Sequence, residues 1–425
     1  MQKNKKMVKN KLLSAILMLL FFNVSCAQIL TLDSVLNIIE RDNPELKMYD
    51  AQINAADTYA EGATAWDAPQ IGTGFFMTPY NPMMWKANPS AYNSGMGSYM
   101  LSIKQMIPNP QKLEANKTYM ESMSSVEKQN KNFVRNMLFA EAKGNYNELV
   151  VLKKKQEIVK ESENLLKLVI QTTEIRYQYN QEKIGSIYKA KAQLAELQSM
   201  LLMYENEIKE KMIMLNTLMN REKSKSFQID STYFIKQYDT EIIDTSSLSF
   251  LRSDLKAIDQ SINLLKAKQQ MAKSERLPDF GVSYDHMFTF GTQPQLFTLM
   301  GMMTIPIAPW SSKSYTSTVS AIDFEIDALE IQKQGVVNEA VGKLEGLKSK
   351  IGFQKQQIKL YEESILPSLR KNYQALLLSY EQNTEELFMV LDAIQMLKMN
   401  QLAYLDQLQT LLTLQTEYEK EIEQR

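Results

Sequence analysis

Residues able to do chemistry are few in this chain of 425 residues, which has one histidine, His286, and one cysteine, Cys26. A nucleophilic triad needs a histidine beside its nucleophile, and a zinc site needs several His or Cys ligands. A lone histidine on the apolar side of a strand pattern serves neither, so the sequence points away from an enzyme and implies no cofactor. The 49 acidic residues mostly sit among lysines on helical stretches such as Glu161 to Lys167, where solvated i,i+4 pairs account for them. Lys153-Lys154-Lys155 reads the same way, as a solvated face. Methionine is the exception, with 26 residues. Met77, Met83, Met84, Met96, Met100 and Met106 gather in one stretch, and Met287, Met300, Met302 and Met303 in another. Thioethers are soft donors that select Cu(I), which makes Met83, Met84 and Met96 candidate metal ligands. Methionine is also a flexible apolar filler, and packing within strands is the competing reading.

Two features bear on where the chain works. Lys3, Lys5, Lys6, Lys9 and Lys11 precede an apolar run from Leu12 to Phe22. That run is shorter than the ~20 residues a membrane helix needs and has the form of a secretory signal over residues 1–27. Two cleavage readings are open. Cleavage before Gln28, after Ser25-Cys26-Ala27, discards the cysteine; Asn23-Val24-Ser25-Cys26 instead resembles a lipobox, which would make Cys26 an acylated first residue. With 48 basic and 49 acidic residues in the whole chain, losing the five lysines leaves a net charge near −6. Such a surface does not suit nucleic acid. No later stretch reaches membrane-helix length, so an exported chain of this kind is periplasmic, secreted or a barrel in an outer membrane.

An internal duplication organises the rest. Asn43-Pro44-Glu45-Leu46-Lys47 aligns with Arg252-Ser253-Asp254-Leu255-Lys256, and Pro69-Gln70-Ile71-Gly72 with Pro278-Asp279-Phe280-Gly281, both at an offset of 209. Tyr177-Gln178-Tyr179-Asn180 aligns with Tyr380-Glu381-Gln382-Asn383 at 203, and Pro108 with Pro306 at 198. The copies span about 30–225 and 248–425, joined by a segment at 226–247 with neither helical nor strand periodicity. Each copy reads as a helix, a hairpin (about 70–106 and 279–305) and two long helices (about 111–178 and 184–221; about 314–380 and 385–424).

The hairpins alternate with a period of two. Ile71, Thr73, Phe75 and Met77 oppose Gln70, Gly72 and Gly74; Tyr99, Leu101 and Ile103 oppose Ser98, Ser102 and Lys104. Phe280, Val282 and Tyr284 oppose Gly281, Ser283 and Asp285, while the fourth run places Leu296, Met300 and Met302 on its polar side. One apolar and one polar face over roughly ten residues is the pattern of a membrane barrel strand, and Tyr80, Trp85, Tyr92 and Phe290 near the hairpin ends suit interfacial girdles. A soluble two-hairpin cap is the other reading. In the long helices, Leu138, Ala142, Asn145, Leu149, Leu152, Gln156, Val159, Glu163, Leu166 and Ile170 keep a 4-3 rhythm, as do Leu344, Leu347, Ile351, Gln354, Ile358, Tyr361 and Ile365. That spacing predicts coiled-coil packing in helices on the order of 100 Å long at about 1.5 Å per residue. Four strands are too few for a membrane barrel, whose smallest forms have about eight, and open edges cannot face lipid. Several chains must therefore pool their hairpins.

These residues resemble the TolC outer-membrane efflux family over essentially all of the mature chain. Leu30-Thr31-Leu32-Asp33 with Asn43-Pro44-Glu45-Leu46 is similar to the family's opening. Gln105-Met106-Ile107-Pro108 and Thr304-Ile305-Pro306 are similar to its strand-to-helix turns, a likeness shared with heavy-metal efflux relatives. Tyr380 to Asn383, followed by Val390-Leu391-Asp392-Ala393, resembles its tip motif, with Asn180 and Asn383 where glycine is usual. The resemblance implies an α+β membrane protein of mostly long helices: a homotrimer in an outer membrane, with four strands per chain in a 12-stranded barrel continuous with a coiled-coil α-barrel in the periplasm. It further implies docking of a periplasmic adaptor (membrane fusion) protein at Asn180, Gln181, Asn383 and Thr384, an inner-membrane pump of the resistance–nodulation–division type, and a periplasmic gate at Asp392, Tyr380 and Tyr177. Lys189 stands where the first copy would match Asp392. The implied function is the exit duct of a tripartite efflux system, with heavy-metal cations among the cargoes. The alternatives are the exit duct of a type I protein secretion system and a non-conducting coiled-coil envelope or adhesin protein.

Overall fold

The computed structural model describes residues 29–88, 95–240 and 245–425. The export segment with Cys26, and Tyr92, lie outside the described residues. In chain order the elements are β1 (Ile29–Leu30), α1 (Leu32–Asp42), α2 (Pro44–Glu61), β2 (Gln70–Phe76), a 3-10 turn (Pro82–Trp85), β3 (Ser98–Ile107), α3 (Pro110–Gln178), α4 (Ile184–Leu218), β4 (Gln228–Ile229), α5 (Thr245–Leu251), α6 (Ser253–Ser274), β5 (Asp279–Thr289), β6 (Leu296–Thr304), α7 (Pro309–Leu360), a π turn (Tyr361–Ile365), α8 (Leu366–Glu381) and α9 (Leu387–Glu421). The described residues form two compact units, and both draw on both halves of the chain: those within 45–135 with 245–343, and 29–44 with 136–240 and 344–425.

The first of these units carries a four-stranded antiparallel sheet in the order β2-β3-β5-β6. Because side chains alternate along each strand, the register decides what each face presents. Ile71, Ile103, Tyr284 and Leu299 form one cross-sheet row, and Gly72, Ser102, Asp285 and Thr298 form the next on the opposite face. The apolar row is exposed, Ile71 at 70% and Leu299 at 68%. Leu296, Met300 and Met302 fall on the polar face, paired with Met287, Ser283 and Gly281. Among the described residues, β2 and β6 are each paired on one side only.

At one end of the sheet the chain turns through loops. Strand β2 stops at Phe76, because Met77 takes a left-handed φ of 48° and leaves the alternation. The Asn81 side chain accepts a hydrogen bond from the Met83 amide at 3.0 Å, opening the 3-10 turn. Trp85 donates its indole N–H to the Pro79 carbonyl at 2.8 Å and stacks on Phe290 at 5.3 Å. Gly95, at φ +81°, lets the loops meet: a Cβ there would come within 2.8 Å of the Gly291 Cα. At the other end, α3 and α7 both begin on a proline, Pro110 and Pro309, whose missing N–H is no loss at a first helical position. Asn109 caps α3, accepting the Gln111 amide on its side chain at 3.0 Å and giving its own amide N–H to Asp279 at 3.3 Å. Lys112 then bridges Asp279 at 2.7 Å and Glu275 at 3.4 Å.

The second unit is built on the heptad seam. Leu138, Ala142, Leu149, Leu152, Val159, Leu166 and Ile170 are buried, and Asn145 with them, while Gln156 and Glu163 are half-buried. Leu152, Val159, Leu166 and Ile170 pack with Ala190, Leu197 and Tyr204 of α4, Tyr380 of α8, and Leu387, Val390, Leu391 and Ile394 of α9. In the second copy Leu344, Leu347, Ile351, Gln354 and Ile358 are buried, but Tyr361 and Ile365 are not. Both are half-buried, and the helix widens there: the Leu366 amide reaches back to the Tyr361 carbonyl, a π turn just before Pro367, which has no amide hydrogen to continue the ladder.

A polar cluster sits inside the same unit. Tyr146 of α3 donates its hydroxyl to the Leu30 and Asp230 carbonyls, each at 3.1 Å, beside the parallel β1–β4 pair; burial pushes its phenol up to about 12. Glu419 of α9 accepts from buried Lys143 at 2.5 Å, from Lys236 at 2.6 Å and from the Tyr238 hydroxyl at 2.8 Å. Lys143 also donates to the Gln424 carbonyl at 2.9 Å.

Candidate functional site

The helix-to-helix turns of the second unit are the first candidate. Helix α3 ends where Asn180 takes φ 57°, and α8 where Asn383 takes φ 60°. The Gln181 amide donates to the Arg176 carbonyl and the Asn180 amide to that of Tyr177, both at 3.0 Å; Thr384 donates to Ser379 at 2.9 Å and Asn383 to Tyr380 at 3.1 Å. This double bond pattern is the Schellman cap, formed twice with asparagine in the left-handed position that it tolerates best after glycine. The duplicated motif thus makes the same reversal in each copy.

The two turns are tied together by a residue that the duplication itself could have flagged. Arg176 aligns with Ser379, so only the first copy has a cation there. Its guanidinium donates to the Tyr380 carbonyl at 3.1 Å and the Glu381 carbonyl at 3.3 Å, and lies 4.3 Å over the Tyr380 ring. Those carbonyls end α8, where a cation complements the helix dipole. The Tyr380 hydroxyl also donates to Glu182 at 3.4 Å. A Lys183–Glu386 pair at 3.1 Å spans the turns, but both side chains are largely in solvent and the pair contributes little.

The second candidate is the sheet of the other unit, with its exposed apolar rows. Aromatic residues mark both ends. Phe75, Trp85, Tyr99 and Phe290 pack together at the loop end, beside exposed Tyr80. At the helix end Trp66 and Trp310 are exposed, with Ile305 and Ile307. Those two tryptophans stand outside the alternating runs, so the spacing of the sequence carries no signal for them. Tryptophan at the boundary of an apolar band is the interfacial signature of membrane proteins. Among the described residues no helix is long and apolar enough to cross a membrane. Met83, Met84 and Met96 lie in the loop region, all exposed; Met84 and Met96 are joined by a backbone hydrogen bond of 2.9 Å, not by their sulfurs. Among the described residues no group of three or more His, Cys, Asp or Glu converges as a metal site.

Comparison with known proteins resolves the fold. VceC of Vibrio cholerae matches with a TM-score of 0.70 at 16% identity, covering 92% of this chain and 95% of that one. The CmeC outer membrane channel of Campylobacter jejuni gives 0.69 at 15%, covering 92% and 85%. The open state of the MtrE outer membrane channel of Neisseria gonorrhoeae gives 0.70 at 12%, covering 92% and 88%. At these identities the likeness is one of fold. No curated protein matches by sequence. Residues 35–221 match the family described as Outer membrane efflux protein. Over that part of the chain the match is to the outer-membrane efflux family, and the fold as a whole is that of TolC-like channels.

The residues that the resemblance to the tip motif singles out occupy different environments. Tyr380 is 4% exposed, within the helical core and under Arg176. Tyr177 and Asp392 are exposed. Asp392 projects from α9 between buried Leu391 and Ala393, and its carboxylate enters no ion pair found among the described residues. Lys189, its counterpart in the first copy, lies 3.3 Å from the centre of the Phe388 ring, a cation–π contact. Lys189 is therefore engaged on an aromatic face of α9 one helical turn before Asp392. His286 is half-buried on the apolar face of β5, edge-on to Phe288 at 4.4 Å.

Proposed function

We propose that this chain is one third of an outer-membrane exit duct, which passively conducts cargo delivered by an inner-membrane pump and a periplasmic adaptor. The observation that carries the reading is the sheet: four strands in register, an exposed apolar face bounded by aromatic residues, and two open edges. Backbone groups on an open edge have no partner in lipid. Three copies pairing β2 of one to β6 of the next would close twelve strands, within the range of membrane barrels. The efflux family and the channel fold favour the tripartite system, with a pump of the resistance–nodulation–division type, over the type I secretion duct. A non-conducting coiled-coil spacer would have no use for such a sheet. Purified in detergent, the protein is expected to run as a trimer in native mass spectrometry and to conduct ions in planar bilayers. A stably folded monomer without conductance overturns the reading.

In the trimer the Schellman turns around Asn180, Gln181, Asn383 and Thr384 are the proposed adaptor-docking tips. Asp392, with Tyr177 and Tyr380, forms the proposed gate at the periplasmic end. Three symmetry-related carboxylates around one opening attract cations and repel anions. Lys189 is held on Phe388, which leaves the Asp392 charge without that neutralising partner. Asp392→Asn is expected to weaken cation selectivity, read as a shift of the reversal potential in a salt gradient. A reversal potential equal to wild type removes Asp392 from the constriction.

A further inference from the structure

We infer that the polar face of the sheet binds a soft monovalent cation, Cu(I) or Ag(I), through the thioethers of Met106, Met302 and Met300. The inference rests on the duct reading, which makes this face the lining of a lumen. That face carries Gln70, Gly72, Gly74, Ser102, Lys104, Ser283, Asp285 and Thr298, as suits a wet interior, with Phe76 and Leu296 at its loop end. Five methionines interrupt it. Met100 and Met287 are direct cross-strand partners, and Met106, Gly281 and Met302 form a second row, six residues further along β3. Met300 precedes Met302 by two residues on β6, on the same face.

The second row is a convergence and not only an alignment. A Cβ placed on Gly281 would meet the Met106 Sδ at 2.7 Å and the Met302 Cε at 3.4 Å. Both thioether ends therefore reach from the flanking strands over the same point of β5, and only the absence of a side chain at Gly281 gives them that space. Met106 and Met302 are half-buried there, while Met300 stays more open. As filler Met106 and Met302 are misplaced: methionine serves as filler against apolar neighbours, and the other apolar residues of this face, Phe76 and Leu296, lie at its opposite end. As ligands they are apt, since two or three neutral sulfurs select soft monovalent metal over the hard cations of the medium. Soft-donor binding does not depend on charge, which fits a site whose next row holds Lys104. Met83, Met84 and Met96 show no comparable convergence.

The test is calorimetric titration of the detergent-solubilised protein with silver(I) nitrate in chloride-free buffer, with methionine methyl NMR to report which thioethers respond. Potassium conductance in planar bilayers is recorded on the same preparations. Wild type is expected to show a tight class of Ag(I) sites that shifts the Met106 and Met302 methyl signals. M106L/M302L keeps the volume and should weaken that class at least tenfold. G281A keeps every sulfur, yet its new methyl displaces the Met106 thioether; it should weaken binding at least threefold. The triple variant M83L/M84L/M96L should bind as wild type. Unchanged affinity in both M106L/M302L and G281A, or loss only in the triple variant, overturns the site. A wild type that conducts potassium but binds no Ag(I) sinks this inference alone, and one that does not conduct sinks the duct reading.

Discussion

Replacing Glu419 with glutamine is expected to destabilise the helical unit by about 3–5 kcal/mol, the cost of breaking a buried ion pair from one side. The carboxylate accepts from Lys143, Lys236 and Tyr238, and Lys143 is almost fully buried, so the substitution leaves its ammonium with neutral acceptors and no counter-charge in this cluster. Lys143→Met should cost less than Glu419→Gln, because it removes the charge that would otherwise be left unpaired and Lys236 can still pair with Glu419. Chemical denaturation followed by circular dichroism measures both, and equal stability of Glu419→Gln and wild type refutes the account. The pair also predicts a pH dependence. Burial opposes ionisation of Glu419, but the hydrogen bonds from Lys143 and Lys236 and the Lys143 charge outweigh it and hold the carboxyl below its ordinary value. A group depressed in the fold stabilises fully above its unfolded pKa, about 4.3 for glutamate, and that stability is lost as pH falls through the folded value. Wild type should therefore lose stability below about pH 4.3 more steeply than Glu419→Gln.

The second large effect concerns the sheet. Ile103 lies mid-strand in the apolar row with Ile71, Tyr284 and Leu299. Ile103→Arg should cost about 2–4 kcal/mol of membrane stability, the range for arginine on the lipid face near the bilayer midplane. Ser102→Arg, one residue away, points to the other face, opposite Asp285 and Gly72, and should cost about 0.5 kcal/mol or less, as for a substitution on a wet surface. Folding titrations into lipid vesicles compare the two. Equal costs would mean that the apolar face does not meet lipid.

Local pattern carried a good part of this. The two-residue alternation of β2, β3 and β5 reappears as two chemically distinct faces, and the imperfect alternation of β6 as methionines on the polar face. The heptad positions from Leu138 to Ile170 are buried or half-buried where the 4-3 rhythm put them. Asn180 and Asn383, read as glycine substitutes, both take the left-handed conformation. Tyr361 and Ile365 are half-buried on the same rhythm, but the sequence pattern did not reveal the π turn that Pro367 sets just ahead of itself.

What the sequence by itself determined is therefore what depends on neighbours along the chain: which residues form strands and long helices, which face of each is apolar and where the reversals fall. Only the tertiary structure decided what depends on residues far apart in sequence. Antiparallel pairing of β3 with β5 joins the two hairpins in one sheet, and that register, together with the pairing of β5 with β6, brings Met106 to Gly281 and Met302. The same holds for Arg176 on the carbonyls of Tyr380 and Glu381, and for Lys143 beside Glu419. Periodicity arises from the repeat of a single backbone conformation and can be read residue by residue. A side-chain pair separated by 200 residues or more is set by how whole elements pack, and nothing in the local order of residues encodes it.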